Sequence, residues 1–406
     1  MRLVFLQFGN FAEAVHSFAG GGKETFYAQR YSVDFVNSLA AQVTDLSVVH
    51  LGRDDAPEVL PSGVRSVGIE LFPAGRRPRY GEVLKTLHRL RPDHLVLVSP
   101  LAVVLGWALA TGVRTLPLFA DSFHARGVKA KLKVAALAGL LRNRRLDWVS
   151  NHGMAASLDL VRIGVGADKV LPFDWPAFLT AADRPAKPAP VGDEFRVIYV
   201  GAISASKGVG DLIDAAKILS AQAPPRWRFT IVGNHDGSFT RRLAELGLAD
   251  TVEFVGRVSH ERVVPLMNEH DAVVVPSRHE YPEGLPMTIY EGLCSRTPVV
   301  ASDHPMFRLK LRDGHNALVF PASDPAALAQ RLRQLAGDAA LYQRLSATAE
   351  DAASDFFCPL KYHELLTRWL SGSQADRRAL ADFSLASGRY VDYPKPPRQR
   401  LPEFQT

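Results

Sequence analysis

Two cysteines, Cys294 and Cys358, are all that the 406 residues contain. So few exclude a disulfide framework and a cysteine-rich metal site, and a reducing cytoplasm is the expected compartment. Long apolar runs are missing too: none reaches the ~18 uninterrupted residues of a spanning helix. The opening MRLVFLQF has strand length. It has no basic leader, long apolar stretch or small-residue cleavage site, so a first strand is expected there rather than a signal peptide.

Several motifs are also absent. "FGNFAEA", at the first strand-to-helix turn, lacks the G-x-G-x-x-G of a dinucleotide fingerprint. The glycine pairs of "IGVGADK" (163–169) and "KGVGDL" (207–212) lack the third glycine and the preceding strand. No P-loop, H-E-x-x-H or G-x-S-x-G occurs, which weighs against kinase, zinc-protease and serine-hydrolase chemistry. There is no D-x-D to hold a divalent ion beside a diphosphate, so neither a metal nor a cofactor is expected.

What is present is an ordinary globular balance, 47% hydrophobic and 22% charged residues, at a length that favours two domains. The net charge of +6 is concentrated. Residues 126–145, "RGVKAKLKVAALAGLLRNRR", carry Arg126, Lys129, Lys131, Lys133, Arg142, Arg144 and Arg145 and no acid. This is either a solvated helix face or a patch for an anionic surface, such as the inner face of a membrane. No recognition-helix, zinc or RNP motif accompanies it, so nucleic acid is not an expected partner.

Short apolar runs alternate with helix-length segments. Strands are expected at 3–8, 46–51, 93–99, 114–119 and 146–150, then at 195–201, 228–233, 252–256, 271–277, 298–302 and 317–320. Runs of Val, Ile and Leu without polar alternation suit parallel strands covered on both faces, which predicts two doubly wound α/β units. The proline-rich "DRPAKPAPVGDEF" (183–195) reads as a linker. The expected division is therefore a first domain over 1–184, a linker over 185–194 and a second domain over 195–360. The remainder, 361–406, is expected to form a terminal helix and an extended tail that returns to the first domain. Periodicity fades after Trp369. Two such units bind ligands in the crevice at the carboxyl ends of their strands.

Four stretches point there. "FAGGGKETF" (18–26) sets Gly20, Gly21 and Gly22 before what reads as the first helix, where bare backbone lets an anion or sugar approach. "YVGAISASKGVGDLIDAAKIL" (199–219) sets Lys207 between a strand and a helix, as a point charge for phosphate. "FADSFHARG" (119–127) offers Asp121 and His124. In "EYPEGLPMTIYEGLCSRTPVV" (280–300), Glu283 and Glu291 stand eight positions apart. Pro286 suits a first helical position, and Thr288, Glu291 and Ser295 fall on one stripe, with Met287, Tyr290 and Cys294 on another. A capped surface helix would leave the two-glutamate spacing to chance. A phosphate at the helix N-terminus, with one carboxylate beyond it and one before it, explains the spacing.

The two glutamates form the E-x₇-E pattern of retaining glycosyltransferases of the GT-B fold, and the chain resembles family 4 (group 1) of that class. "YVGAISASKG" looks like the family's phosphate loop, "VEFVGRVSHERVVPLMNEHDAVVVPS" its base-binding region and "EGLPMTIYEGLCSRTPVVASD" its signature. The resemblance covers roughly 195–330 and is weaker in the first half. It implies two Rossmann-like domains facing across a cleft and a nucleotide-diphosphate-sugar donor, with a glycan, glycolipid or small molecule as acceptor. Carried over by position, Arg257 and Val258 face the base and Glu291 the ribose. Lys207 and the backbone of Gly284, Leu285, Pro286 and Met287 hold the diphosphate. Glu283 meets the donor sugar, and His124, Gly21 and Gly22 complete the site; the catalytic set is Glu283, His124 and Lys207. Two departures stand out: Ala202 replaces the family's usual arginine, and His304-Pro305 stands where paired glycines are common. Arg278 is a candidate replacement for the lost charge. Two rival readings are another enzyme of this fold, such as a nucleotide-sugar epimerase or a phosphorylase, and a non-catalytic sugar-nucleotide-binding protein.

Overall fold

The computed structural model describes residues 1–390 apart from 125, 126, 223, 235 and 236, and apart from the side chain of Ser238. Arg126 of the basic segment and the tail over 391–406 lie outside the described residues.

The first unit is an eight-stranded sheet: β1 (Arg2–Gln7), β2 (Asp45–His50), β3 (Asp55–Val59), β4 (Arg65–Gly68), β5 (His94–Leu97), β6 (Arg114–Phe119), β7 (Val149–His152) and β8 (Val170–Phe173). Its order is β3-β4-β2-β1-β5-β6-β7-β8, and every pairing is parallel except β3 with β4. The second unit has six parallel strands: β9 (Glu194–Val200), β10 (Arg226–Val232), β11 (Val252–Gly256), β12 (Ala272–Val275), β13 (Val299–Ser302) and β14 (Leu318–Phe320). They run in the order β11-β10-β9-β12-β13-β14.

All six strands expected in the second half are present, each built around buried apolar residues even where β9, β10 and β11 carry Arg196, Arg228 and Glu253. Three strands of the first half escaped the pattern. β3, DAPEV, is an exposed edge strand with two acids and a proline. β4 has only four residues, RSVG. β8, VLPF, has only four residues and forms the sheet's other edge.

After β14 the chain crosses back. Tyr362, Leu365, Leu366, Trp369 and Leu380 join the core beneath Leu3, Phe5 and Val48 of the first sheet. The stretch after Trp369 that shows no periodicity holds a helix, Gln374–Ala381, begun by Ser373, which accepts from Asp376 N at 3.1 Å. The linker is pinned rather than loose. Lys187 Nζ donates to Asn268 O at 2.8 Å and also to His270 O, and burial pushes its pKa down to about 8.

The strand order decides where a ligand can sit. In each sheet it reverses once beside the first strand, between β1 and β5 and between β9 and β12. At such a point the loops leaving the two strands diverge and open a crevice. In the second unit those loops are 201–208 and 276–286, which carry Lys207 and Glu283.

Candidate functional site

Loop 201–208 is moulded by its glycines. A β-carbon on Gly208, whose φ is +75°, would lie 2.0 Å from Pro276 O at the end of β12. The close approach sets the start of the Val209–Ser220 helix beside the next loop and brings Lys207 to the crevice. Lys207 Nζ donates to Glu283 Oε1 at 2.6 Å and lies 4.1 Å from the centre of the Tyr281 ring. Ser277 Oγ donates to the same Oε1, also at 2.6 Å. Both charged side chains are largely buried, Lys207 17% and Glu283 7% exposed, so each depends on the other.

The loop that bears Glu283 is braced from behind. His304 Nε2 donates to Tyr281 O at 3.1 Å, and its Nδ1 accepts from Met306 N. Burial pushes its pKa down to about 4, so the ring is neutral. Where paired glycines were the expectation, this chain has a rigid prop under the Tyr281 carbonyl.

Arg278 does not stand in for the arginine missing at Ala202. Its guanidinium is engaged side-on by buried Asp211, Nε to Oδ2 at 2.8 Å and Nη2 to Oδ1 at 2.6 Å. Asp211 sits in the first turn of the Val209–Ser220 helix, where the dipole favours an acid. The pair ties that helix to the Glu283 loop.

The helix of the signature begins at Met287, one residue later than expected, with Pro286 as its cap (φ −74°, ψ 105°) and no side-chain capping bond. Residues Ile289 to Cys294 are all buried, which rules out a surface helix. Ser295 Oγ turns back onto Gly292 O, and Tyr290 OH donates to Leu179 O. Glu291, 5% exposed, accepts from His260 Nε2 at 2.8 Å. Arg257 and Val258 follow β11 directly, Arg257 exposed and Val258 half-buried.

The first unit closes over this loop. A β-carbon on Gly284 would come 2.4 Å from Ala120 O, and one on Gly153 would come 3.0 Å from Leu285 Cβ. Gly284 is therefore required where the two units touch. Asp121 comes next along the chain; its carbonyl accepts from Asn151 Nδ2 at 2.9 Å, and burial pushes its carboxyl up to about 6. His124 Nδ1 lies 3.3 Å from Asp159 Oδ2. Burial works against the Asp159 charge, but bonds from His124 and Arg162 hold its carboxyl below the usual range.

The glycine loop is a correction. Gly20–Gly22 follow the first helix, Phe11–Ala19, instead of preceding it, because Asn10 caps that helix well upstream. Gly21 has φ +80°, and a β-carbon on Gly22 would overlap Ser17 Oγ at 2.1 Å. The glycines thus terminate a helix rather than present a positive dipole end. The loop beyond them meets the second unit through Lys23, paired with Glu261, and Glu24, whose carbonyl accepts from His260 N at 2.9 Å.

Sequence reasoning did not single out Ser277, Tyr281 or His260. Ser277 and Tyr281 lie next to the signature and follow from its position. His260 pairs with Glu291 across 31 residues, and no spacing signals that. Among the described residues there is no cluster of three or more His, Cys, Asp or Glu able to hold a metal, and no helix is long and apolar enough to cross a membrane.

Residues 182–352 match the family described as glycosyl transferases group 1. The α-D-kanosaminyltransferase of Streptomyces kanamyceticus is 34% identical over 161 residues, 39% of each chain. The D-inositol 3-phosphate glycosyltransferase of Streptomyces avermitilis is 27% identical over 351 residues, 81% of this chain and 73% of that one. The matches span only 39%, 40% and 42% of the length of the first three curated relatives. Among solved structures, Anabaena HepE in complex with UDP superposes with a TM-score of 0.61 at 17% identity, covering 92% of this chain and all of that one. That likeness is one of fold: two Rossmann-like domains facing across a cleft, the GT-B arrangement.

Proposed function

We propose that the chain, whose residues 182–352 match the family of glycosyl transferases group 1, is a retaining, metal-independent glycosyltransferase. It moves a sugar from a nucleotide-diphosphate donor to an acceptor hydroxyl. The observation that carries this is the Lys207–Glu283 pair at 2.6 Å, set at the strand-order reversal beside an uncapped helix N-terminus, with Glu291 further along the same helix. The proposed division of the chain is a first domain over 1–184, a linker over 185–194, a donor domain over 195–360 and a terminal segment over 361–406.

On donor binding, Lys207 turns from Glu283 to the diphosphate, which also meets the N–H groups at Gly284 to Met287. Glu283 is then free to accept from hydroxyls of the transferred sugar. Glu291 accepts from the ribose diol, while Arg257 and Val258 face the base. His124, with Gly21 and Gly22, completes the site from the first domain. The departing diphosphate is stabilised by Lys207 and the helix dipole, and positioning brings the acceptor hydroxyl to the anomeric carbon. Glu283 is given to the hydroxyls of the sugar and Glu291 to the ribose in this reading, which favours same-face attack assisted by the leaving phosphate over a covalent intermediate. The test is nucleoside diphosphate release with and without acceptor, in chelator. Acceptor-dependent release that survives chelation is expected; release restored only by magnesium or manganese contradicts metal independence.

Ala202 supports a second reading, a non-catalytic sugar-nucleotide-binding protein, because Arg278 is committed to Asp211 and does not replace the missing charge. Tight donor binding without turnover under any acceptor would favour it.

The acceptor side is proposed to meet an anionic membrane on the cytoplasmic face. In the helix Val128–Leu141, Val128 is 74% and Leu132 64% exposed, and Ala135, Ala136 and Gly139 extend the exposed stripe. Lys129, Lys131 and Lys133 flank it, all exposed. Each surface cation contributes about 1 kcal/mol of attraction to anionic lipid. Co-sedimentation with anionic vesicles is expected to weaken in high salt and to be lost in Leu132→Glu. Binding that ignores lipid charge contradicts the contact.

A further inference from the structure

Between the loop after the first helix and the Glu291 carboxylate lies one imidazole. His260 opens the His260–Asn268 helix, whose cap Ser259 makes no side-chain capping bond. The missing partner is supplied by the other domain, since His260 N donates to Glu24 O at 2.9 Å. The ring reaches both ways. Its Nε2 is 2.8 Å from Glu291 Oε1, and its Nδ1 is 3.9 Å from Glu24 Oε2. Tyr27 of the same loop packs edge-on against the ring at 5.6 Å and against Tyr290 at 5.8 Å. Glu24 is itself held, accepting from Arg30 N at 2.6 Å, and Lys23 pairs with Glu261 next to His260.

We infer that His260 is a positioning residue that clamps Glu291 to Glu24 of the first domain, so that the ribose carboxylate takes its working orientation only when the domains are closed. The inference rests on the proposed role of Glu291. A carboxylate that must accept two hydroxyls needs one oxygen fixed, and His260 fixes Oε1. At 3.9 Å Glu24 is beyond hydrogen-bond reach of Nδ1, so the ring attracts both carboxylates only as the cation, through the Nε2–Glu291 bond and the charge it presents to Glu24.

The groups facing the ring are Glu291 from the signature helix, Glu24 and Tyr27 from the loop, Lys23 through Glu261, and Arg30 and Arg184 from the neighbouring groove. That groove, about 460 Å³, is lined by His260 together with Arg30, Arg184, Glu24, Asp34 and Glu261. Burial opposes the charged ring, but the hydrogen bond and charge of Glu291, with a contribution from Glu24, outweigh it and raise the pKa above its ordinary 6.5. A raised folded pKa means the clamp is complete below the ordinary value and is released as pH rises through the raised one.

The test has two arms. In the first, calorimetry with nucleoside diphosphates compares wild type, His260→Gln and Glu24→Gln from about pH 5.5 to about pH 8.5. Ligand phosphate titrates alike in all three, so the ratio of variant to wild type is read. About tenfold weaker binding by His260→Gln at low pH is expected, converging on wild type at high pH, a coupling of ordinary size. Glu24→Gln is expected to follow the same course while leaving Glu291 untouched. A ratio that does not change with pH in both variants overturns the clamp. In the second arm, small-angle scattering of the free protein reads domain closure. Wild type is expected to open as pH rises, and His260→Gln to be open throughout; identical curves overturn the clamp. If wild type binds no nucleoside diphosphate, the functional reading fails, and the scattering arm still judges the clamp.

Discussion

Lys207→Ala is expected to lower turnover about a hundred- to a thousandfold, the usual cost of removing one preorganised charge from a developing anion. Lys207 supplies the one lysine charge at the mouth of loop 201–208, and Ala202 has removed the second cation expected there. The variant also leaves Glu283, 7% exposed, with Ser277 as a hydrogen-bond partner. An unpaired buried carboxylate costs about 1–3 kcal/mol of stability, so a fall in melting temperature should accompany the loss of turnover. Lys207→Arg should restore stability better than activity, because the planar fork replaces the charge near Glu283 but not the compact ammonium beside Tyr281. Steady-state kinetics and thermal melts on both variants check this. Full turnover in Lys207→Ala would contradict its place in the chemistry.

The two glutamates are expected to divide the work. Glu291→Ala should chiefly weaken binding of donor and of free nucleoside diphosphate. Loss of a charge-assisted hydrogen-bond set costs about 1.5–3 kcal/mol, roughly ten- to a hundredfold in affinity. Glu283→Ala should leave diphosphate affinity nearly intact while turnover falls, since the free diphosphate carries no sugar. The paired geometry sharpens this: with Glu283 gone, Lys207 no longer has to leave a partner before meeting phosphate, so diphosphate affinity should hold or rise slightly. Equal loss of diphosphate affinity in both variants contradicts the division. The cost to stability should be larger than for surface acids, since both side chains are buried.

Much of this arrangement was legible because it is written in contiguous chain. The strands of the second sheet are short segments rich in Val, Ile, Leu and Phe, and Glu283, Glu291 and Lys207 lie in or beside the loops that leave β9 and β12. What was not legible depends on distant partners. Arg278 looked like a spare cation until Asp211, 67 residues away, was seen to hold it. The glycine run looked like a helix entrance; Asn10, an ordinary polar residue in sequence, starts that helix and turns Gly20–Gly22 into its exit. β3 is an exposed edge strand with two acids and a proline, and β4 and β8 have only four residues each, so none offers a long apolar run. His260 was invisible for the same reason as Arg278: its importance comes from two carboxylates, one on each domain.

The central claim is that this cleft holds a nucleoside diphosphate sugar between Lys207 and Glu291. Titration calorimetry of the purified protein with a panel of nucleoside diphosphates and their sugars tests it most directly. The account predicts saturable one-to-one binding of one base in the micromolar range, weakened roughly ten- to a hundredfold by Glu291→Ala. Absence of binding across the panel, or binding that Glu291→Ala leaves unchanged, would contradict it.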